Sequence, residues 1–209
     1  FLAVVAAQDL EMCQLDIKTA FLNGELEEVV YMRQPLGYSI GPPNLVCRLH
    51  KAIYGLKQVP RAWHLTLKQK LLEHGFVTSD ADPSLFLLST PDGKRVMILI
   101  YVDDCLITGR KLSWVSETVK LIQTLFEARD MGAPEDFLGM RIVRDRAAKT
   151  LRLHQQPYVT KMLETYNMSG VTPLSVPLRS VLTSEGEPLS ADLHSQYPSL
   201  VGSLMHLAN

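Results

Sequence analysis

Residues 98–108 read Ile98-Leu99-Ile100-Tyr101-Val102-Asp103-Asp104-Cys105-Leu106-Ile107-Thr108. Two adjacent carboxylates stand between two strongly apolar runs, each of strand length. Apolar strands belong in a core and exclude charge, so Asp103-Asp104 marks a tight turn at a sheet edge. Side-by-side aspartates repel unless a cation sits on them. Hard oxygen donors aimed in one direction suit Mg²⁺, which takes one or two carboxylates along with water and substrate phosphate. The plain alternative is a solvated turn, since aspartate is common in turns. The apolar flanks on both sides count against it.

A third carboxylate strengthens the metal reading. Asp16, in Cys13-Gln14-Leu15-Asp16-Ile17-Lys18-Thr19-Ala20-Phe21, ends another short apolar strand over residues 12–17. Taken alone, Asp16 is a strand-end residue. If its strand lies beside the Asp103 hairpin, three carboxylates converge. That is the donor set of two-metal phosphoryl transfer, in which paired ions clamp an in-line displacement.

The flanking pattern predicts the fold class. Residues 84–88 and 95–102 are separated by Thr90-Pro91-Asp92-Gly93, a hairpin signal, and residues 96–102 and 105–108 form a second hairpin around the aspartates. Pro60 opens a helix whose Trp63, Leu67 and Leu71 recur every four residues, closed by His74 and Gly75. Ser113 is placed to cap a second helix with Val115, Val119, Ile122 and Phe126 on one face. Residues 1–8 read as a helix end and 45–49 as a strand, with a turn at Asn23-Gly24. Residues 136–146 and 150–154 read as a hairpin, and 157–166 as a short helix. After Gly170 come Pro173, Pro177 and Pro188, the composition of a linker, and residues 195–209 start one more helix. Together these give an α+β architecture, an antiparallel sheet with helices packed on one face.

Composition bounds the function. The 209 residues are 46% hydrophobic and 21% charged, with a formal net charge of −1. A nucleic-acid surface must therefore come from local patches. The three cysteines, Cys13, Cys47 and Cys105, have no metal-ligand spacing and cannot all pair, which points to a reducing, intracellular setting. The histidines form no ligand pair, so no structural zinc is expected. No apolar run reaches the roughly 18–20 residues of a membrane span, so no membrane partner is expected.

Beyond these residues lies a resemblance. Tyr101-Val102-Asp103-Asp104 resembles the active-site box of reverse transcriptases. The Gln14–Gly24 stretch resembles the first carboxylate box of the Ty1/copia retrotransposon branch. So do Val30-Tyr31-Met32 with Gln34-Pro35, Cys47-Arg48-Leu49, the run from Tyr54-Gly55-Leu56 through Trp63, Ala81–Phe86, Phe137-Leu138-Gly139, and Tyr197 with Leu200–Leu204. Eight matches in the family's order across residues 8–208 make chance an unreasonable account.

The resemblance implies a right-hand polymerase fold. Residues 1–146 would be the palm with part of the fingers, and 147–209 a thumb- or connection-like segment ending before ribonuclease H. It implies an RNA-directed DNA polymerase holding two Mg²⁺ (or Mn²⁺) on Asp16, the Ile17 carbonyl, Asp103 and Asp104. Its partners would be an RNA template, a DNA or tRNA primer and deoxynucleoside triphosphates. The remainder of a Pol polyprotein, with integrase and ribonuclease H, would accompany it in a cytoplasmic virus-like particle. Phe21 matches a steric gate against the ribose 2′-hydroxyl, with core packing as the alternative. Gln58 and Pro60 match the box beneath the incoming nucleotide, and Lys57 and Arg61 are near enough to meet phosphates, or are simply solvated. Phe137, Leu138 and Gly139 match the primer grip. Arg141, Arg144 and Arg152 lie on the following hairpin, where cations follow a nucleic-acid backbone unless they are merely solvated. Trp63 is expected in the helix core rather than on a base-stacking platform.

Two departures stand out. Arg33 and Leu36 replace the expected acidic or polar residues of the Tyr-Met box. The family's upstream basic fingers segment precedes the point where this chain begins, so weak polymerase activity is expected of the chain by itself. Two other functions compete: a degenerate retroelement remnant acting at most as a nucleic-acid- or protein-binding module, and a two-metal nuclease, which needs neither the Phe21 nor the Gln58 box.

Overall fold

Strict alternation builds the central sheet. In the strand Arg95–Tyr101, Val96, Ile98 and Ile100 are buried, whereas Arg95 and Tyr101 face solvent. One face therefore turns to the core. A computed structural model describes residues 1–42, 44–176, 188 and 190–208. The elements begin with α1 (Leu2–Ala7), β1 (Glu11–Ile17), a 3-10 turn (Ala20–Asn23), β2 (Glu25–Arg33), β3 (Val46–Lys51) and α2 (Val59–Glu73). They continue with β4 (Val77–Thr78), β5 (Leu85–Ser89), β6 (Arg95–Tyr101), β7 (Asp104–Gly109), α3 (Leu112–Leu125) and β8 (Ala128–Gly132). The last are β9 (Asp136–Phe137), β10 (Met140–Asp145), β11 (Thr150–His154), α4 (Gln156–Thr165) and α5 (Ala191–Ala208).

The chain divides into two units. The first, residues 1–135 and 144–151, holds a six-stranded sheet in the order β4-β5-β6-β7-β1-β8, with antiparallel neighbours throughout. A separate ribbon pairs β2 with β3. Helices α2 and α3 cover the same sheet face. Their Trp63, Leu67 and Leu71, and Val115, Val119 and Ile122, pack on Leu15, Ile17, Ile98 and Ile107. Burying each such side chain stabilises the fold by about 1.5–3 kcal/mol relative to leaving it exposed. Strand β7 is buried on both faces: Leu106 and Thr108 on the second face are fully buried, and the Thr108 hydroxyl donates to the Glu11 carbonyl at 2.6 Å. The expected α+β class, with an antiparallel sheet and helices on one face, is what forms.

The second unit comprises residues 136–143 and 152–208 of the described chain. Within it, β9 pairs with β10, and α4 meets α5 through Tyr158 against His206, with ring centroids 4.7 Å apart, and through the Tyr166 and Ser199 hydroxyls at 3.2 Å. Among the described residues no helix is long and apolar enough to cross a membrane.

Several local expectations are corrected. The hairpin turn is Val102-Asp103, and Asp104 already pairs with Tyr101 as the first residue of β7. Ser113 lies inside α3, whose N-cap is Lys111 in extended conformation. The last helix begins at Ala191 and carries Pro198 within it. The expected hairpin near residue 140 contains an extra strand, β9. Strands β2, β4 and β8 were not anticipated. β2 and β8 are mostly exposed, and β4 is only two residues long, so none shows the alternation that burial imposes. Of the prolines assigned to the linker, Pro177 lies outside the described residues.

Gly24 has a packing reason rather than a turn reason. A Cβ there would come within 2.9 Å of the Trp63 backbone nitrogen and 3.3 Å of Ala62 Cβ. The chain thus crosses α2 at closest approach just before β2. Gly24→Ala is expected to destabilise the protein by about 1–3 kcal/mol through overpacking. Urea unfolding of the two proteins checks this.

Candidate active site

The carboxylates are brought together by strand register. β1 runs antiparallel to β7 with Asp16 directly opposite Asp104. Directly opposed residues point to the same face, so the two side chains stand on the sheet face away from α2 and α3. The Ile17 amide donates to the Asp103 carbonyl at 2.8 Å, which extends the pairing into the turn and draws Asp103 to the end of β1. On the other side of β1, Asp16 is opposite Arg129 of β8. One row across three strands therefore reads Asp104, Asp16, Arg129. Gln14, two residues before Asp16 and on the same face, donates its side-chain amide to Asp104 Oδ1 at 3.2 Å.

The turn that presents Asp103 is strained. Val102 has φ of 58°, and Asp103, the other central residue, is not in the positive region. A two-residue hairpin with positive φ at its first central position ordinarily has glycine there. A β-branched residue in that conformation costs on the order of 1–3 kcal/mol and persists only where its surroundings hold it.

Electrostatics mark the same place. Burial holds the Asp104 carboxyl above its ordinary range, the Gln14 hydrogen bond partly opposes this, and the charges of Asp103 and Asp16 push it further up. The neighbouring thiols are not nucleophiles. Burial, reinforced by a hydrogen bond to Asp130, pushes the Cys13 thiol up to about 12, and burial raises Cys105 as well. The chemistry at this site belongs to oxygen donors.

Comparison with known proteins gives the family. Residues 1–180 match the family described as reverse transcriptase (RNA-dependent DNA polymerase). The chain belongs to the reverse transcriptase family. It is 35% identical, over 98% of its length, to the retrovirus-related Pol polyprotein from transposon TNT 1-94 of Nicotiana tabacum. It is 38% identical over 99% of its length to the Pol polyprotein from transposon RE1 of Arabidopsis thaliana. A transposon Ty5-1 protein of Saccharomyces cerevisiae is 29% identical over 93% of the chain. These are the Ty1/copia-type relatives that the ordered motifs led us to expect. The chain spans 16% and 14% of the two plant polyproteins' lengths.

Other residues of this reverse transcriptase domain fall in three places. Phe21, in the 3-10 turn after β1, is partly buried and meets Tyr54 edge-on, with ring centroids 5.2 Å apart. Gln58 is the N-cap of α2, followed by Pro60 in its first turn. Gln58 and Arg61 line a cleft of about 310 Å³ whose far wall is Glu25, Glu27 and Glu28, while Lys57 and Pro60 are exposed. In the second unit Phe137 is buried, and Leu138 and Gly139, with φ of 52° and 78°, make the β9–β10 turn.

The hairpin arginines differ from one another. Arg144 donates to Asp9 Oδ1 and to the Leu10 carbonyl, both at 2.6 Å, and Arg146 pairs with Glu11 at 2.8 Å. Their charge is engaged by the loop between α1 and β1 and by the first residue of β1, which gives Arg144 a structural role. Arg141 pairs with Asp136 at 2.8 Å, and Arg152 is exposed. Gln14 and Arg129 were not singled out from sequence, and Tyr54 was named only as part of the basic run through Trp63, not as a partner of Phe21. Only Gln14 had a legible signal, its two-residue spacing from Asp16.

Among the described residues no three His, Cys, Asp or Glu side chains are grouped so as to cage an ion by themselves. The donors present are nonetheless hard oxygens on one sheet face, the set that suits Mg²⁺ or Mn²⁺ drawing further ligands from water and phosphate.

A carboxyl whose folded pKa is raised stabilises the fold below its unfolded value and loses that contribution as pH rises through the folded value. In metal-free protein the negative charge of Asp104 is therefore a net cost wherever the group is ionised. Asp104→Asn is expected to melt at a higher temperature than the parent at pH 7. The gap should close as pH falls to about 4, the ordinary aspartate range. Calorimetry in chelator across that range checks this.

Proposed function

We propose that this chain is the catalytic part of an RNA-directed DNA polymerase that adds deoxynucleotides to a primer 3′ end on an RNA template. The observation that carries this is the register of Asp16 against Asp104, with the Asp103 carbonyl bonded to the Ile17 amide. In this scheme Asp16, the Ile17 carbonyl, Asp103 and Asp104 hold two Mg²⁺ or Mn²⁺. Such ions, when bound, activate the attacking hydroxyl and neutralise the leaving pyrophosphate.

The protein's own groups do the rest. Asp104, partly buried beside two other carboxylates, favours a cation at neutral pH. The Gln14 amide occupies one Asp104 oxygen and so orients the group. The Phe21 ring, set against Tyr54, fills the space that a ribose 2′-hydroxyl needs, and selects deoxynucleotides by shape. Gln58 and Pro60 lie under the incoming nucleotide, and Lys57 and Arg61 reach its phosphates. The Phe137-Leu138-Gly139 turn grips the primer end. Arg141 and Arg152 follow a nucleic-acid backbone by charge, which makes binding salt-dependent.

Residues 1–146 then act as a palm with part of the fingers, and 147–209 as a thumb- or connection-like segment. A DNA or tRNA primer and the other Pol domains, integrase and ribonuclease H, complete the machinery within a cytoplasmic particle.

Primer extension on an RNA template, by this chain or a longer one containing it, tests the scheme. Asp103→Asn is expected to lower kcat at least about a hundredfold, the scale of losing one transition-state electrostatic contact. Extension at the parent rate would refute the role given to Asp103. Phe21→Ala is expected to raise ribonucleotide incorporation relative to deoxynucleotide incorporation, measured as the ratio of kcat/KM values. An unchanged ratio would return Phe21 to plain core packing.

A further inference from the structure

Trp63 was expected in the core of its helix, and it is there, 2% exposed. Its ring packs edge-on against Phe126, with centroids 5.0 Å apart. Its backbone nitrogen is where a Cβ on Gly24 would collide, so the chain at Gly24 lies directly against the helix at this residue. A tryptophan buried this deeply must find an acceptor for its indole N–H, and which acceptor it takes is the informative point. This one has a specific partner: Nε1–H donates to the Val102 carbonyl at 2.6 Å, across 39 residues of sequence.

We propose that Trp63 is the positioning residue of the aspartate turn, its indole N–H clamping the Val102 carbonyl and so setting where Asp103 stands relative to Asp16. The proposal rests on the carboxylate-site function given above. The peptide that follows Val102 ends in the Asp103 amide. Fixing its carbonyl fixes that peptide plane, and with it the direction from which the Asp103 side chain leaves the turn. The next peptide is fixed as well, because the Asp103 carbonyl accepts from the Ile17 amide at 2.8 Å. Both peptides flanking the Asp103 side chain are therefore tied, one to α2 and one to the strand of Asp16.

The tie matters because the turn does not hold itself. Val102 sits at φ 58°, a conformation a valine leaves readily when nothing opposes it. Tryptophan suits this position because its ring is wide enough to fill the core and its edge carries a donor that is never an acceptor. Phenylalanine reproduces the first property and not the second. Groups that orient metal ligands without touching the metal typically change metal affinity 10- to 100-fold when removed.

Trp63→Phe in the 209-residue chain tests the proposal by two readouts that do not depend on polymerase activity. The first is hydrogen exchange of the 101–104 peptide. It is expected to accelerate at least about tenfold in the variant, while exchange in α3 and the melting temperature stay near the parent's. The second is Mn²⁺ titration followed by electron paramagnetic resonance, in which affinity is expected to fall about tenfold or more. Unchanged turn exchange together with unchanged Mn²⁺ affinity overturns the clamp. If the parent binds no Mn²⁺, the metal-site function is lost, and turn exchange alone still decides the clamp. If the variant fails to fold, the parent decides. The protein has two tryptophans, Trp63 and Trp114. One indole N–H exchanging far more slowly than the other supports the clamp, and two equally fast ones overturn it.

Discussion

Antiparallel pairing of β1 with β7 is the constraint on which the rest depends. It places Asp16 opposite Asp104, yet the carboxylates themselves do nothing to favour that arrangement, because their charges repel. The register comes from the other face of the same strands. Leu15, Ile17, Cys105 and Ile107 are buried against α2 and α3, and a slip of one residue would turn every one of them to the opposite side. The apolar face selects the register, and the polar face inherits it. An unfavourable cluster of acids is thus held by a favourable cluster of aliphatic and aromatic side chains a few ångströms below.

Several local features run against stability, and they gather in one place. Val102 holds a strained φ, Asp104 is partly buried with its carboxyl held above the ordinary range, and Asp16 stands opposite it with Asp103 in the adjoining turn. Such concentration is characteristic of functional sites, where the surrounding packing over-determines the geometry. Helix α2 contributes most directly. It carries Gln58 at its N-cap and Trp63 at its second turn, and Gly24 allows the end of the carboxylate-bearing segment to press against it.

The cations tell a different story from the acids. With a formal charge near zero, the chain has no overall field to attract a polyanion. Its basic hairpin is partly committed to internal pairs: Arg144 and Arg146 bind Asp9, Glu11 and the carbonyls between them. Arg129, by contrast, is exposed and in register with Asp16, so positive charge adjoins the carboxylates on the sheet itself. Within what reads as one basic stretch, Arg144 and Arg146 form a structural clasp, while an isolated arginine in a polar edge strand stands in the row of Asp16 and Asp104.

Much of this protein was legible in its residues. The alternation in 95–109, the four-residue stripe of α2 and the one-faced α3 specify strands and helices because burial repeats with the period of each element. The ordered motifs around Asp16 and Asp103-Asp104 gave the family, because long boxes in a fixed order leave little room for chance. What the residues by themselves could not say is which strands become neighbours and which polar groups meet. β2, β4 and β8 bury too little to leave a pattern. The Gln14–Asp104 bond, the strand register that sets Arg129 opposite Asp16 and the reach of Trp63 to Val102 join residues 39 to 113 positions apart. Such contacts have no local signature: only when hydrophobic burial has fixed the strand order and register does a donor find its acceptor, and that selection is made by the folded chain as a whole.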